Sequence, residues 1–444
     1  MDTNSNTSNE EFHAQAIQIL FQKAVCLHRE GEFDQAESIY KHLLKITGHN
    51  HEIALYSNLA VALKNQNKFE EAITCFGKAI ELDPNCENTI NNLANCYAAI
   101  GNNDKAEHYY KESLKMNPSA AKTYYNLGNL YESMQRYDEA IATYKQCLLN
   151  EDRFSRAQNN LAIVYESINR YEDAEYYYKE AITSDPEYFE AYKNLGFLYI
   201  NQGRTEEAKS CFESAQSIST VDPVLNHQLD ALAGKNVTST PSEYIQNLFN
   251  PYAENFENHL INQLDYQVPY LTTAHLLPRM THDEGLSHLD LGCGTGLVAE
   301  IFREKTKNVI GVDLSEEMLK VANQKNIYDE LIVSDINAYL DHSERQFDLI
   351  TCFDTLCYIG DLDQLFKAIS KHLSKQGHFI FSTESCAGGR FQITKSGRFT
   401  HNNEYIVEIL EKYFDKSDVF KILAPLRKEA ESWIIGEMYL VTKQ

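Results

Sequence analysis

The sequence predicts two domains in series: an all-α array of stacked helical hairpins, then an α/β domain on a largely parallel sheet. Three observations predict this. Before residue 225, small and aromatic residues recur with a 34-residue period. Further on, an apolar run from Leu286 to Leu291 leads straight into Gly292, Gly294 and Gly296. Beyond those glycines, short apolar runs ending in acids alternate with helical patterns. A chain of 444 residues, 43% of them apolar, is long enough for two or three domains with sizeable cores.

The repeats come first. Alanines recur at Ala36, Ala72, Ala106, Ala140, Ala174 and Ala208. A small residue lies twelve positions before each, at Ala24, Ala60, Ala94, Gly128, Ala162 and Gly196. An aromatic lies four positions after each, at Tyr40, Phe76, Tyr110, Tyr144, Tyr178 and Phe212. Small residues let two helices approach closely, and aromatics fill the space between neighbouring hairpins. One hairpin cannot bury its own apolar face, so the array stacks into a superhelix with a concave groove. The code resembles the tetratricopeptide repeat (TPR), a helix–turn–helix unit of 34 residues. Six repeats with a capping helix at Pro223–Leu232 are expected over residues 10–235. Asparagine stands at the sixth position of five successive repeats: Asn58, Asn92, Asn126, Asn160 and Asn194. A carboxamide both donates and accepts, so such a ladder could hold an extended polypeptide without reading its side chains. The spacing resembles the asparagine ladder of the O-linked N-acetylglucosamine transferases. An unidentified protein or peptide is the partner this groove implies.

Composition narrows the function classes. Net charge is −24 and neither half is basic, so nucleic acid is not an expected partner. The ten cysteines form no C-x-x-C pair and no cysteine–histidine spacing typical of zinc, so no metal is expected. The N-terminus is polar and acidic, and no run approaches the length of a membrane span. The expected location is cytoplasmic.

Residues 236–243 are rich in turn formers and are expected to be a linker. The second domain is then expected over 244–444. Leu248, Phe249, Tyr252, Phe256 and Leu260 follow at helical spacing, either as core or as a lid over a ligand.

The next strand and its glycine turn open the sheet. A dinucleotide fingerprint would place the third glycine at position 297, where this chain has Leu297; here it is Gly296. Asp290, two residues before the first glycine, would repel a pyrophosphate and suits an ammonium group. A second strand, Asn308 to Asp313, ends in an acid 21 residues after Gly292, where a carboxylate can grip ribose hydroxyls. Ser315 reads as the N-cap of the helix that follows. A third strand, Leu331 to Ser334, precedes Asp335. A fourth, Phe347 to Phe353, precedes Asp354, Cys357 and Tyr358. A helix from Leu362 to Leu373 and a fifth strand, His378 to Thr383, lead to Glu384, and Arg398 and His401 lie on the next loop. A helix over 402–413 and apolar runs at 418–424 and 433–441 complete the domain.

The D-x-G-x-G-x-G pattern resembles the first motif of class I, Rossmann-like methyltransferases that use S-adenosylmethionine. The segment P-S-E-Y-I-Q-N-L-F-N-P-Y-A-E-N-F, Y-I-G-D-L at Tyr358–Leu362, S-G-R-F-T-H at Ser396–His401 and L-R-K-E at Leu426–Glu429 resemble predicted methyltransferases that carry N-terminal tetratricopeptide repeats. The resemblance implies a cofactor site at Tyr252, Asp290, Gly292, Cys293, Gly294, Gly296, Asp313, Leu314, Asp335, Ile336 and Phe353. Asp335 would receive the adenine amine, and Ile336 would pack on the ring. Asp354, Tyr358 and His401 are the candidate catalytic groups.

Three functions fit these residues. The first is a methyltransferase whose repeats recruit a protein substrate. The second is a small-molecule methyltransferase whose repeats dock a partner. The third is a scaffold that binds cofactor without turnover. The repeat groove favours the first.

Overall fold

The computed structural model describes residues 4–47, 52–235, 237–280, 285–414, 417–429 and 432–444, with backbone alone for 4–14, 251 and 252. The chain forms two compact units, Met1–Leu198 and Tyr199–Gln444.

The first unit is built of antiparallel helix pairs. They are α1 (Asn4–Arg29) with α2 (Phe33–Ile46), α3 (Glu52–Asn65) with α4 (Phe69–Leu82), and α5 (Glu87–Ala99) with α6 (Asn103–Met116). After them come α7 (Ala121–Ser133) with α8 (Tyr137–Asn150), α9 (Ser155–Ser167) with α10 (Tyr171–Ser184), and then α11 (Phe189–Asn201). The periodic small residues do the packing the spacing predicts: Ala24, Ala36, Ala60, Ala72, Ala94, Ala106, Ala140, Ala162 and Ala174 are fully buried. At Gly128 the approach is closer than any side chain allows, since a methyl group there would fall 2.5 Å from the Tyr144 ring. The turn inside each pair uses a left-handed residue, at Gly31, Asn67, Gly101, Gln135 and Asn169, with Gly203 continuing the series.

The asparagines at the sixth repeat position are half-exposed. Three of them bond to the preceding repeat. Asn126 Nδ2 donates to Asn91 Oδ1 (3.2 Å), Asn160 Nδ2 to Asn129 Oδ1 (3.0 Å) and Asn194 Nδ2 to Asn159 Oδ1 (3.1 Å). Asn92 Oδ1 accepts from Lys64 Nζ. The amides thus brace one repeat against the next.

The second unit opens with α12 (Thr205–Ile218) and α13 (Pro223–Leu232). Asp222 caps α13 by accepting the amide of Leu225, and Pro223 fills the first turn, where no amide is needed. A seven-stranded sheet follows in the order β3-β2-β1-β4-β5-β9-β8. The strands are β1 (Leu286–Leu291), β2 (Thr306–Asp313), β3 (Glu330–Val333), β4 (Phe347–Cys352), β5 (Leu373–Glu384), β8 (Asp418–Glu429) and β9 (Ser432–Thr442). The first five pair in parallel, while β9 runs antiparallel to both β5 and β8. Chain order reverses between β1 and β4, which opens a crevice beyond the carboxyl ends of the strands. One face of the sheet is covered by helices Asp363–His372 and Asn403–Tyr413, where Phe366, Phe379, Phe381, Phe414 and Tyr439 stack edge and face. The other face buries Val268, Leu276, Phe302, Leu349, Ile380 and Leu440.

Three features depart from the sequence reading. The loop after β5 contains a small hairpin, β6 (Phe391–Ile393) with β7 (Phe399–His401). The helical segment after Ser242 is broken: a helix over Ser242–Phe249 gives way to a tight turn at Asn250–Asn255. The break coincides with Pro251, which has no amide to continue the ladder. The described part of the expected linker 236–243 is woven into the second unit. Thr240 N donates to the Tyr358 carbonyl (2.9 Å), and Gly360 N donates to the Thr238 carbonyl (2.8 Å). The boundary between compact units falls earlier, between Leu198 and Tyr199.

Candidate active site

A cavity of about 250 Å³ lies at the carboxyl ends of β1–β4. Its floor is the turn after β1. Gly292 adopts φ +68°, and a methyl group there would sit 2.1 Å from Thr355 Oγ1, so only glycine fits. Gly294 (φ +52°) differs: a methyl group there would meet only the Phe256 ring, at 3.9 Å. That side of the turn is open space facing the cavity, the opening a ligand approaching the backbone requires. Gly296 packs against Ile327 and Tyr328 and does not line the cavity, so its role is to close the turn.

Asp290 sits at the end of β1 and is 4% exposed. Its Oδ1 accepts from Thr351 Oγ1 (2.6 Å) and its Oδ2 from the Tyr328 hydroxyl (2.7 Å). Because the Thr351 proton is committed to Asp290, His288 Nε2 donates to Thr351 Oγ1 (2.7 Å). Burial pushes Asp290 up to about 6, against the two hydrogen bonds. Burial likewise lowers His288 to about 3, so the ring beneath the site is neutral. Asp313, at the end of β2, accepts the amides of Gly294 (2.9 Å) and Ser315 (2.8 Å). Burial raises its pKa, and these amides work the other way. Ser315 caps the next helix, as its sequence position predicts, and also donates to Asn250 Oδ1 (2.7 Å). Asp335 caps the helix after β3, its Oδ1 accepting the amides of Asn337 and Ala338.

Of the predicted cofactor residues, Asp290, Gly292, Cys293, Gly294, Asp313, Leu314, Asp335, Ile336 and Phe353 line this one cavity. The Tyr252 side chain lies outside the described residues. Three carboxylates around a glycine turn are a poor set for a pyrophosphate and a good one for an ammonium, paired hydroxyls and an amine.

Two of the three candidate catalytic residues, Asp354 and Tyr358, also line the cavity. Asp354 is held in a left-handed backbone conformation, φ +48°, with its amide on Ser382 Oγ (3.1 Å) and its carboxylate facing Arg427 Nη1 (3.3 Å). Arg427 is 2% exposed and also binds Glu384 and Glu429 through Nη2, at 2.7 Å each. A register shift in β8 between Pro425 and Arg427 accompanies its inward turn. Burial works against charge on Glu384, but Arg398 and Arg427 outweigh it and hold that carboxyl below its usual range. The Tyr358 hydroxyl faces Arg398 Nη1 (3.3 Å), and burial raises its pKa well above the tyrosine norm.

His401 stands elsewhere. It is 1% exposed, lies outside the cavity wall, and its Nε2 donates to the carbonyls of Ile359 (2.9 Å) and Gly360 (3.2 Å). Burial depresses it to about 4. It braces the loop after β4 as a neutral ring, outside the cavity that Asp354 and Tyr358 line.

Sequence reasoning did not select Thr240, Ser242, Tyr266, Thr355 or Arg427. Thr240, Ser242, Tyr266 and Thr355 line the cavity, and Arg427 anchors Asp354. Two resembling segments, the one that opens P-S-E-Y at Pro241 and the L-R-K-E at Leu426–Glu429, contain Ser242 and Arg427. Among the described residues, no group of three His, Cys, Asp or Glu is placed to hold a metal, and no helix is long and apolar enough to cross a membrane.

Comparison with known proteins finds likenesses to both parts of the chain. Residues 263–418 match the family profile described as "Methyltransferase domain". Residues 17–50, 53–86, 88–120, 119–187 and 169–223 match profiles described as "Tetratricopeptide repeat". One relative, named "Ubiquinone biosynthesis O-methyltransferase", from Idiomarina loihiensis, is 36% identical over 111 residues, 23% of this chain and 45% of the relative. A protein of the same name from Pectobacterium atrosepticum is 25% identical over 154 residues, 34% of this chain and 60% of the relative. The chain spans about half the length of the curated relatives it matches. Among solved structures, a tetratricopeptide repeat protein from Parabacteroides merdae covers 53% of this chain and 92% of its own, at 22% identity and a TM-score of 0.43.

Proposed function

We propose that this chain, in which tetratricopeptide repeats precede a methyltransferase domain, transfers a methyl group from S-adenosylmethionine to a small hydroxyl-bearing acceptor and docks a protein through its repeats. One observation carries the cofactor reading: Asp290, Asp313 and Asp335, from three successive strand ends, line one cavity beside the open face of Gly294. In this reading Asp290 meets the ammonium group, Asp313 the ribose hydroxyls and Asp335 the adenine amine, with Ile336 and Leu314 against the ring.

S-adenosylmethionine, when bound, supplies a methyl group on a sulfonium that already leaves readily. The chain's own task is therefore to orient the acceptor and exclude water. Phe249, Phe256, Leu260, Tyr266 and Tyr358 give the cavity an apolar, aromatic lining suited to a small acceptor. The relatives' printed name, O-methyltransferase, supports oxygen as the accepting atom. In this reading Asp354, held after β4 by its contact with Arg427, takes the acceptor's hydroxyl proton.

The repeats serve docking in this reading rather than substrate delivery. Asn126, Asn160 and Asn194 already spend a carboxamide donor on the preceding repeat, which weakens the case for a peptide-gripping ladder. Incubating the full chain with radiolabelled S-adenosylmethionine and cell extract tests the proposal. Label recovered in small extractable molecules is the expected result. Label confined to polypeptides would favour a protein substrate instead.

A further inference from the structure

Residues 224–262 lie between the last position matched by the repeat profiles and the first matched by the methyltransferase profile. Yet Ser239, Thr240, Ser242, Ile245, Phe249 and Phe256 all belong to the cavity wall. The same stretch, with α13 at its start, grips the loop after β4 in two ways.

The first grip runs through the β6–β7 hairpin. His227, 4% exposed on α13, donates from Nε2 to the Gly397 carbonyl at 2.9 Å. Gln228, fully buried beside it, donates from Nε2 to the Lys395 carbonyl at 2.6 Å. Gly397 has φ +81°, and a methyl group there would fall 3.1 Å from Gln228 Oε1, 3.2 Å from the Tyr244 hydroxyl and 3.4 Å from His227 Cδ2. The turn is thus seated tightly on α13. The next residue, Arg398, reaches from that turn to the Tyr358 hydroxyl (3.3 Å) and to Cys357 Sγ (3.0 Å).

The second grip is direct. Thr240 N donates to the Tyr358 carbonyl (2.9 Å), and the amides of Gly360 (2.8 Å) and Asp361 (3.1 Å) both donate to the Thr238 carbonyl. Tyr358 and Ile359, held in this way, line the cavity together with Asp313 and Asp335. A loop that closes a binding site costs ordering free energy when the ligand arrives, unless it is fixed beforehand.

We propose that His227, Gln228 and the Thr238–Thr240 segment form a clamp that positions the Tyr358–Asp361 wall of the cavity, which makes them positioning residues for S-adenosylmethionine. The clamp rests on the cofactor reading above and extends the site to a helix outside the matched methyltransferase region. It also means that a fragment starting at Ser242 would lack Ser239 and Thr240 from its cavity wall.

The test is calorimetric titration of the full chain with S-adenosylmethionine, for wild type, His227→Ala, His227→Gln and Gly397→Ala. Loss of one buried hydrogen bond that pre-orders the wall should weaken affinity roughly fivefold in His227→Ala, and Gly397→Ala should weaken it in the same direction. His227→Gln keeps a donor near the Nε2 position and should bind within about twofold of wild type. On the wild-type chain, hydrogen exchange at the amides of Thr240, Gly360 and Asp361 should slow on addition of S-adenosylmethionine, a readout that needs no variant to fold. If His227→Ala and Gly397→Ala bind like a wild type that itself binds, or if those amides exchange equally fast at saturation, the clamp is wrong while the cofactor reading stands. A wild-type chain that does not bind S-adenosylmethionine overturns both.

Discussion

The Asp313 carboxylate accepts the Gly294 amide at 2.9 Å, so the end of β2 and the glycine turn after β1 are one construction. The acid that would grip a ribose also fixes the turn on which the cofactor would lie. Changes in either element should therefore separate into effects on folding and effects on binding according to what each atom touches.

The two glycines give the sharpest separation. Gly292→Ala forces a left-handed backbone on alanine and puts its methyl against Thr355. It should cost about 2–5 kcal/mol of stability, read by chemical denaturation. Gly294→Ala meets only open space within the fold. It should cost about 1–2 kcal/mol, the left-handed penalty alone, yet weaken S-adenosylmethionine binding by an order of magnitude or more because its methyl enters the cavity. Equal effects of the two on stability would show that the turn is packed differently.

Affinity should also depend on pH. Asp290 holds a proton up to about pH 6, above its unfolded value of 3.8, because its carboxylate is buried. That shift costs the unliganded chain stability as pH rises through this window, and the cost is complete above it. The ammonium of the cofactor needs the carboxylate form, so affinity should rise from about pH 5 to about pH 7 and then level. Asp290→Asn should bind more weakly and lose that rise. Calorimetry across the range decides it, and a flat wild-type profile would remove Asp290 from the ammonium site.

For the chemistry, Asp354→Asn should lower methyl transfer to the acceptor about 100-fold or more while S-adenosylmethionine affinity stays within about twofold. His401→Ala should do the reverse. It should cost about 1–3 kcal/mol of stability through the lost bonds to Ile359 and Gly360, and leave the pH profile of the remaining activity unchanged. An altered pH profile in His401→Ala would return that residue to the reaction.

In the repeats, the triple change Asn92→Ala, Asn126→Ala, Asn160→Ala is not a neutral surface edit. It removes bonds to Asn91 and Asn129 and the acceptor for Lys64. We expect about 1–3 kcal/mol of lost array stability, seen as a lower unfolding midpoint of the full chain. Unchanged stability together with lost partner capture would restore the ladder to a peptide-binding role.

The parts of this molecule that could be read from sequence are those set by local spacing. Ala72 and Phe76, or Ala140 and Tyr144, lie one helical turn apart, and their repetition reveals the packing of each hairpin. Asp290, Asp313 and Asp335 are legible as strand-end acids because each lies within a residue or two of the end of a short apolar run. What stayed hidden depends on contacts remote in sequence. Thr240 meets Tyr358 across more than a hundred residues, and its composition marks only a linker. Arg427 turns inward at an irregularity in an edge strand, which no periodicity announces. His401 is readable in sequence only as a polar residue on the loop after β5; its burial and its bonds to two backbone carbonyls come from contacts with the distant loop after β4.

The most direct test of the account is calorimetric titration of the full chain with S-adenosylmethionine and, separately, with NAD, for wild type and Asp313→Ala. We predict that wild type binds S-adenosylmethionine and not NAD, and that Asp313→Ala loses about 2–5 kcal/mol of that binding, as expected for a truncated charge-assisted contact. A wild type that prefers NAD, or an Asp313→Ala chain that binds S-adenosylmethionine as tightly as wild type, would contradict it.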